Sequence, residues 1–361
     1  MYKIAVLKGD GIGPEIVDST IQVLKALEEK INISMFEYIN LPVGLGAYEK
    51  SRSTFPEETK EVMSQCDGAI LGPVSTHIYD PVRNMENPSA VVRTKFGLYA
   101  NLRPIRSIPS SKFQGVDLVI VREATEGIYG DRNLYSGPGE IMPDKDTVLS
   151  FRRVTRKSSE RIAKIAFKIA NERKRHVSII HKANVLRYGC GLFLEENLKV
   201  SRSYENVQVD DYHIDAFAMY LVQHPEQFDV IVTTNMFGDI LSDEAAGLIG
   251  GLGFAPGLNV GSDFVVAQAA HGSAPSIAGK NVANPIAEIL SSQLMLSWMG
   301  RKYQDKLLDD MSNLLKVSVW KAIEEENIQP IDLGGNSSTD QICSEIINQI
   351  KQHGSYSRGV K

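Results

Sequence analysis

The chain lacks any long apolar stretch. No uncharged hydrophobic run reaches the roughly 18 residues of a membrane span, which argues against an integral membrane protein. Cysteine is scarce. Cys66, Cys190 and Cys343 are odd in number, far apart and without CxxC spacing. They suit a reducing compartment, argue against a disulfide framework or a zinc site, and are expected to be small buried hydrophobes. A surplus of basic charge is also missing. Lys and Arg number 39 against 44 Asp and Glu, a net charge of −5 that argues against binding nucleic acid through bulk charge. A local basic pocket for a small acid stays compatible with it. The opening residues Met1-Tyr-Lys-Ile-Ala-Val-Leu run straight into strand-like sequence with no signal-peptide layout, so the expected location is the cytoplasm. No repeat, low-complexity tract or linker-like stretch divides the 361 residues, which suffice for one or two domains.

What is present is an alternation of strand, turn and helix. Lys3–Leu7 is a short apolar run, followed by the turn Gly9-Asp-Gly-Ile-Gly-Pro-Glu15, where Pro14 is placed to open a helix. Ile16, Val17, Ile21, Leu24 and Leu27 then recur at helical spacing. Further strand-like runs are Ala69–Leu71, Val116–Val121, Val177–Ile180 and Val230–Thr233. This alternation predicts an α/β protein with a largely parallel sheet. Residues 130–150 break the pattern with turn composition, and Thr147–Thr155 reads as a strand. The excursion is either a projecting arm, exchanged between subunits, or a surface loop.

Several residue groups can carry chemistry. Gly9, Gly11 and Gly13 form GxGxG and not the GxGxxG of a dinucleotide fold, so a tight turn explains them without a ligand. Arg93, Arg103 and Arg122 flank strand-like sequence. A guanidinium at the C-terminal end of a buried parallel strand needs an anionic partner, either an internal Glu or a carboxylate substrate. Asp239 and Asp243 are spaced i,i+4, which on a helix puts both carboxylates on one face. Such a pair calls for a cation or for solvent, and the apolar, Gly-rich flank Ala245-Ala-Gly-Leu-Ile-Gly-Gly251 argues against solvent. Oxygen donors suit Mg²⁺ or Mn²⁺, with Asp215 a candidate third ligand. Lys182 follows a predicted strand and Tyr129 follows Glu126-Gly-Ile; both are candidates for proton transfer. The loop His271-Gly-Ser-Ala-Pro-Ser-Ile-Ala-Gly-Lys280 offers backbone N–H groups to a phosphate or an adenine, whereas His271 by itself reads as structural.

Together these segments resemble a known family, the β-decarboxylating dehydrogenases that act on isocitrate, 3-isopropylmalate, homoisocitrate, tartrate and D-malate. The likeness runs nearly end to end. It covers Gly9–Glu15, Leu98-Tyr-Ala-Asn-Leu-Arg-Pro104, Val121-Arg-Glu-Ala-Thr-Glu-Gly-Ile-Tyr129, Lys182-Ala-Asn-Val-Leu186, Thr234-Asn-Met-Phe-Gly-Asp-Ile-Leu-Ser-Asp243, His271-Gly-Ser-Ala-Pro275 and Asp332-Leu-Gly-Gly335. The resemblance implies two α/β domains around a cleft and not a Rossmann fold. Residues 1–97 and 249–361 would form a dinucleotide-binding domain. Residues 98–248 would form the substrate, metal and dimerisation domain, with an arm near 130–156. It further implies a homodimer with shared active sites, Lys182 and Asp215 coming from the neighbouring subunit. Arg93, Arg103 and Arg122 would bind the carboxylates of a 3-substituted D-malate. Asp215, Asp239 and Asp243 would hold Mg²⁺ or Mn²⁺. Lys182 would take the hydroxyl proton and Tyr129 would protonate the enol. Asn184, His271, Gly272, Ser273, Ala274, Pro275, Ser276 and Asn284 would bind the cofactor.

Two departures bear on specificity. Ser276 stands where NAD-dependent members usually carry an Asp, and the Lys-Tyr pair of NADP-dependent isocitrate enzymes is absent too, Ser276-Ile277 being in its place. Asp332-Leu-Gly-Gly335 is similar to the NAD side, so NAD is the expected cofactor, with NADP left open. Before the first arginine, Asn84-Met-Glu-Asn-Pro-Ser-Ala-Val-Val-Arg93 lacks the leucines that receive an isopropyl group. Asn87 and Ser89 are expected to meet a carboxyl-bearing group, as in isocitrate or homoisocitrate. The alternatives are a 3-isopropylmalate enzyme, a tartrate or D-malate enzyme, and a non-catalytic regulatory subunit. The last typically loses the Tyr, Lys or metal Asp residues that this chain retains.

Overall fold

The structure is a computed structural model and describes residues 1–80, 85–129, 139–325 and 328–354. Residues 130–138, which include most of the turn-rich part of the expected arm, lie outside the described residues. The chain folds as two compact units. One comprises Met1–Val91, Gly251–Leu258 and Phe264–Lys361, and the other Val92–Gly250 with Asn259–Asp263.

In the first unit the strands Phe36–Asn40, Tyr2–Leu7, Gly68–Leu71 and Val265–Ala267 lie side by side, all parallel. Ile4, Ala5, Val6 and Leu7 are buried in succession, the mark of a parallel strand covered on both faces. The turn after Leu7 feeds the helix Gly13–Ile31, with Pro14 in its first turn as expected and Asn32 closing it in the left-handed conformation. That helix packs on the helices Thr339–Gln352 and Ile286–Tyr303, and the latter pairs with Lys306–Glu324. Thr339–Gln352 starts with a capping box: Ser338 Oγ accepts the Gln341 N–H, and Gln341 Oε1 accepts the Ser338 N–H.

In the second unit the strand order is Ala100–Arg106, Asp117–Glu123, Val230–Thr233, His176–His181, Gln208–His213. The first two strands are antiparallel and the remaining neighbours parallel. The sequence pattern predicts the parallel majority but not this antiparallel pair. The helices Arg156–Asn171 and Gly189–Ser201 pack on each other, and Asn235–Ile249 lies over the antiparallel pair. The expected strand Thr147–Thr155 is shorter. Thr147–Ser150 pairs with Glu140–Asp144 as an exposed hairpin, and beyond it Arg153 makes an isolated bridge to Gly127.

All three cysteines are free and buried, as their scatter implied. No helix among the described residues is long and apolar enough to cross a membrane.

Candidate active site

The second unit gathers a compact set of charged side chains at the end of its sheet. Arg122 is the penultimate residue of Asp117–Glu123 and is 2% exposed. Helix Asn235–Ile249 begins two residues after the neighbouring strand Val230–Thr233, so its first turns lie beside that strand end. Arg122 Nε donates to Asn235 Oδ1 at 2.9 Å, and its Nη1 is bonded to Asp239. Arg103, on the antiparallel neighbour strand, reaches the same helix. Its Nη2 lies 3.2 Å from Asp239 Oδ1 and its Nη1 3.2 Å from Asp243 Oδ1, while Nη1 also donates to Ser242 Oγ. Tyr129 donates its hydroxyl to Asp239 Oδ2 at 2.9 Å.

The helix therefore forms as the i,i+4 spacing required, with both carboxylates toward one cluster. Burial pushes the Asp239 carboxyl up, but the charges of Arg122 and Arg103 outweigh it and hold the group below the ordinary range. At Asp243 burial wins, helped by the Asp239 charge against the pull of Arg103, and its carboxyl is raised. Burial and Asp239 together raise the Tyr129 phenol. Two carboxylates on successive turns, one of them destabilised by the other, are an oxygen-only donor pair fitted to a hard divalent cation. Asp215 is not with them. Among the described residues no three His, Cys, Asp or Glu side chains form one metal-sized group.

Arg93 corrects a sequence expectation. It lies on the helix Pro88–Lys95 and not at a strand end, and its Nε donates to Asn259 Oδ1 at 2.9 Å. Arg103 is also mid-strand, so only Arg122 occupies the strand-end position. Arg103 is held by Asn101, whose Oδ1 accepts its Nε–H at 2.8 Å, and Asn101 itself donates to Asn259 at 3.1 Å.

Lys182 and Asp215 form a separate ion pair in the same unit. Register explains it. His176–His181 and Gln208–His213 are parallel neighbours with His181 opposite His213, Lys182 follows the first strand, and Asp215 lies in the first turn of Ile214–Gln223. The hydrogen bond from Lys182 holds the Asp215 carboxyl below its usual range. Asn184 is exposed in the turn after Lys182, beside exposed Val185, Leu186 and Tyr188.

The cofactor candidates other than Asn184 lie in the first unit. His271 Nδ1 is 3.0 Å from the Gly272 carbonyl oxygen, and burial lowers the imidazole pKa. Its Nε2 is buried with no hydrogen-bond partner among the described residues, an orphaned polar atom that a ligand could satisfy. Gly272 has open space where a Cβ would be, and Pro275 and Ser276 are exposed. Ala274 has φ +36°, a left-handed conformation that costs a non-glycine residue about 1–3 kcal/mol and is typical of ligand-binding loops. Ser273 is buried, its hydroxyl 2.7 Å from Ser75 Oγ. Asn284 Nδ2 donates to Asp332 Oδ2 at 3.0 Å. A Cβ on Gly253 would sit 1.9 Å from that carboxylate, so a side chain there would displace Asp332 from Asn284. These residues fit a dinucleotide: backbone amides, an unfilled imidazole nitrogen and a carboxylate.

The two specificity candidates have partners within the first unit. Asn87 Oδ1 accepts the Ala90 N–H at 3.3 Å, which makes it the N-terminal cap of Pro88–Lys95. Ser89 Oγ accepts from Gln268 Nε2 at 2.8 Å. Sequence reasoning missed Gln268, Asn101, Asn259 and Ser242. It also missed Asn235, although Thr234-Asn235 opening a helix directly after a strand is a local signal.

The sequence profile of the family described as Isocitrate/isopropylmalate dehydrogenase matches residues 3–350. The homoisocitrate dehydrogenase of Methanocaldococcus jannaschii is 41% identical, over 98% of this chain and 99% of its own length. A 3-isopropylmalate/3-methylmalate dehydrogenase of the same organism is 39% identical, over 98% of this chain and 100% of its own. Among solved structures, the isocitrate dehydrogenase from Methylococcus capsulatus superposes with a TM-score of 0.87 at 36% identity, covering 98% of this chain and 100% of that one.

Proposed function

The chain belongs to the isocitrate/isopropylmalate dehydrogenase family, and on that premise we propose that it oxidises and decarboxylates a 3-substituted D-malate of the isocitrate or homoisocitrate type, with NAD as the acceptor. The observation that carries the reading is the Arg122–Asp239–Arg103–Asp243 cluster with Tyr129 on Asp239. Tyr129, Lys182, Asp215, Asp239 and Asp243, which non-catalytic regulatory subunits typically lose, are all present, which supports a catalytic chain.

Arg93, Arg103 and Arg122 bind and orient the substrate carboxylates, and Asp239 and Asp243 hold Mg²⁺ or Mn²⁺ with Asp215 as the third carboxylate. When bound, the divalent cation supplies Lewis-acid stabilisation of charge on the C2 oxygen, and NAD supplies the hydride acceptor. Lys182 takes the C2 hydroxyl proton through a relay. Once the 3-carboxylate has left as CO₂, Tyr129 returns a proton to C3. A phenol kept protonated by burial and by Asp239 is suited to donate.

The family resemblance implies that Lys182 and Asp215 serve the site of a second copy in a homodimer, and their pairing with each other, apart from Asp239 and Asp243, supports that reading. Exposed Val185, Met219, Val222 and Ile240 on the same unit support an apolar subunit contact. The first unit takes the dinucleotide through residues 271–276 and Asn284.

The substrate side group is the finer question. Ser89 is bonded to Gln268, and if the 84–92 stretch faces the side group, as the resemblance implies, this polar pair supports a carboxyl-bearing group over an isopropyl one. Asn87 contributes less than its sequence position suggests, since its side chain caps a helix. The similarity to a 3-isopropylmalate/3-methylmalate dehydrogenase supports the competing reading. The test is NAD(P)H formation with Mg²⁺ or Mn²⁺, crossing NAD and NADP with isocitrate, homoisocitrate, isopropylmalate, D-malate and tartrate. The highest kcat/KM is expected for a tricarboxylate with NAD. A dominant isopropylmalate signal overturns the specificity reading, and no turnover with any substrate returns the regulatory one.

A further inference from the structure

The Gly-rich turn after the first strand is built around a buried carboxylate that the proposed chemistry does not use. Asp10 is 6% exposed. Its Oδ1 accepts the Leu45 N–H at 2.7 Å, and its Oδ2 accepts the Ser75 N–H at 2.8 Å and the Tyr79 hydroxyl at 2.6 Å. Its own N–H donates to the Pro73 carbonyl at 2.8 Å. Gly44, in the left-handed region at φ +75°, packs against it, and a Cβ there would lie 2.3 Å from Asp10 Oδ1.

Both ends of this arrangement terminate on Ser273. Ser75, whose amide is bonded to Asp10, has its hydroxyl 2.7 Å from Ser273 Oγ. On the other side, Ile12 N–H donates to the Ser273 carbonyl at 2.8 Å. A Cβ on Gly11 would fall 2.0 Å from that same carbonyl oxygen, so the approach is possible only for glycine. Ser273 is thus held by its side chain and by its main chain, through two segments that meet at Asp10. The residue that follows, Ala274, is in the left-handed conformation, which a side-chain-bearing residue keeps only where its surroundings fix it.

We propose that Asp10 is the positioning residue for the 271–276 loop. Through Ser75 and the 9–13 turn it fixes Ser273 and Ala274 in the shape that receives the dinucleotide, without touching the dinucleotide itself. The proposal rests on the reading of 271–276 as the cofactor loop. Its physical basis is the acceptor-only character of an ionised carboxylate. Three donors converge on Asp10, and an amide in its place would present N–H to at least one of them.

The test is Asp10→Asn in the full-length chain, with Tyr79→Phe as the milder variant that removes one donor. NADH affinity by fluorescence titration is expected to fall at least about tenfold in Asp10→Asn and less in Tyr79→Phe, the scale of losing charge-assisted hydrogen bonds. Amide hydrogen exchange at 271–276 is expected to accelerate without ligand, and the KM for the hydroxy acid to stay within about twofold of wild type while the KM for NAD rises in step with the NADH dissociation constant. A variant with a lowered Tm but wild-type NADH affinity and loop exchange overturns the positioning role and leaves only a structural one. If Asp10→Asn does not fold, Tyr79→Phe decides by the same two readouts. Wild-type protein that binds no NADH overturns the proposed function and this role with it. Wild-type binding with unaffected variants overturns this role alone.

Discussion

Gly238 lies against Arg122 so closely that a Cβ built on it would come within 2.7 Å of the arginine Cβ and Cγ. The helix Asn235–Ile249 can bring Asp239 to the Arg122 guanidinium only because the residue before Asp239 has no side chain. Gly238→Ala forces one of the two to move. It is expected to destabilise the fold by about 1–3 kcal/mol through overpacking and to raise the KM for the hydroxy acid at least tenfold, about the effect of displacing one charged hydrogen bond. Denaturant unfolding and initial rates with varied hydroxy acid check both. An unchanged KM would show that Arg122 does not hold a substrate carboxylate.

Asp239 connects Arg122, Arg103 and Tyr129. Asp239→Asn keeps the shape but removes the charge that the two arginines hold ionised. Turnover is expected to fall at least about 100-fold, with Mn²⁺ affinity by calorimetry weakened in parallel. Treatment with EDTA should abolish wild-type activity, and Mg²⁺ or Mn²⁺ should restore it. Full activity in EDTA would remove the metal from the reaction.

Lys182→Met is expected to lose about 100- to 10,000-fold in kcat, the range for losing a proton-transfer group, while folding normally. Its partner Asp215 is exposed, so the lost ion pair contributes little to stability. Mixing this variant with Asp239→Asn protein and allowing subunits to exchange should restore part of the activity, because a mixed dimer contains one intact site. Absence of any rescue counts against active sites shared between subunits.

Glu288 gives a pH-dependent stability. It is fully buried on Ile286–Tyr303, Oε2 accepts the Ala269 N–H at 2.8 Å, and burial raises its carboxyl pKa to about 8. The unfolded chain ionises this group near the ordinary 4.5 of a glutamate, so the native state binds more protons between the two values. Stability is therefore expected to fall as pH rises from about 5 to 8, by a few kcal/mol at most, and to level off above that. Glu288→Gln should flatten the slope while keeping an acceptor for Ala269. Denaturant unfolding at several pH values checks it, and equal slopes in both proteins would sink the assignment.

Much of this was legible along the chain because it is local. A parallel strand buried on both faces needs a run of apolar residues, and Val230–Thr233 matches its expected bounds. The pair Asp239 and Asp243 was readable because helical periodicity converts i,i+4 into one face. Where local signals conflicted, the reading failed. Val91-Val92 made Arg93 look like a strand-end arginine, but Asn87-Pro88 ahead of it caps and opens a helix, and the cap prevails.

The α/β class, the family and the types of residue available for the chemistry are readable along the chain. Which of them meet is set by the fold. Arg122 and Asn235 are 113 positions apart, Lys182 and Asp215 are 33, and Ser75 and Ser273 are 198. No periodicity spans such separations. Strand order, parallel register and glycines where two backbones touch bring these groups together, and those are properties of packing in three dimensions that neighbouring residues along the chain do not encode.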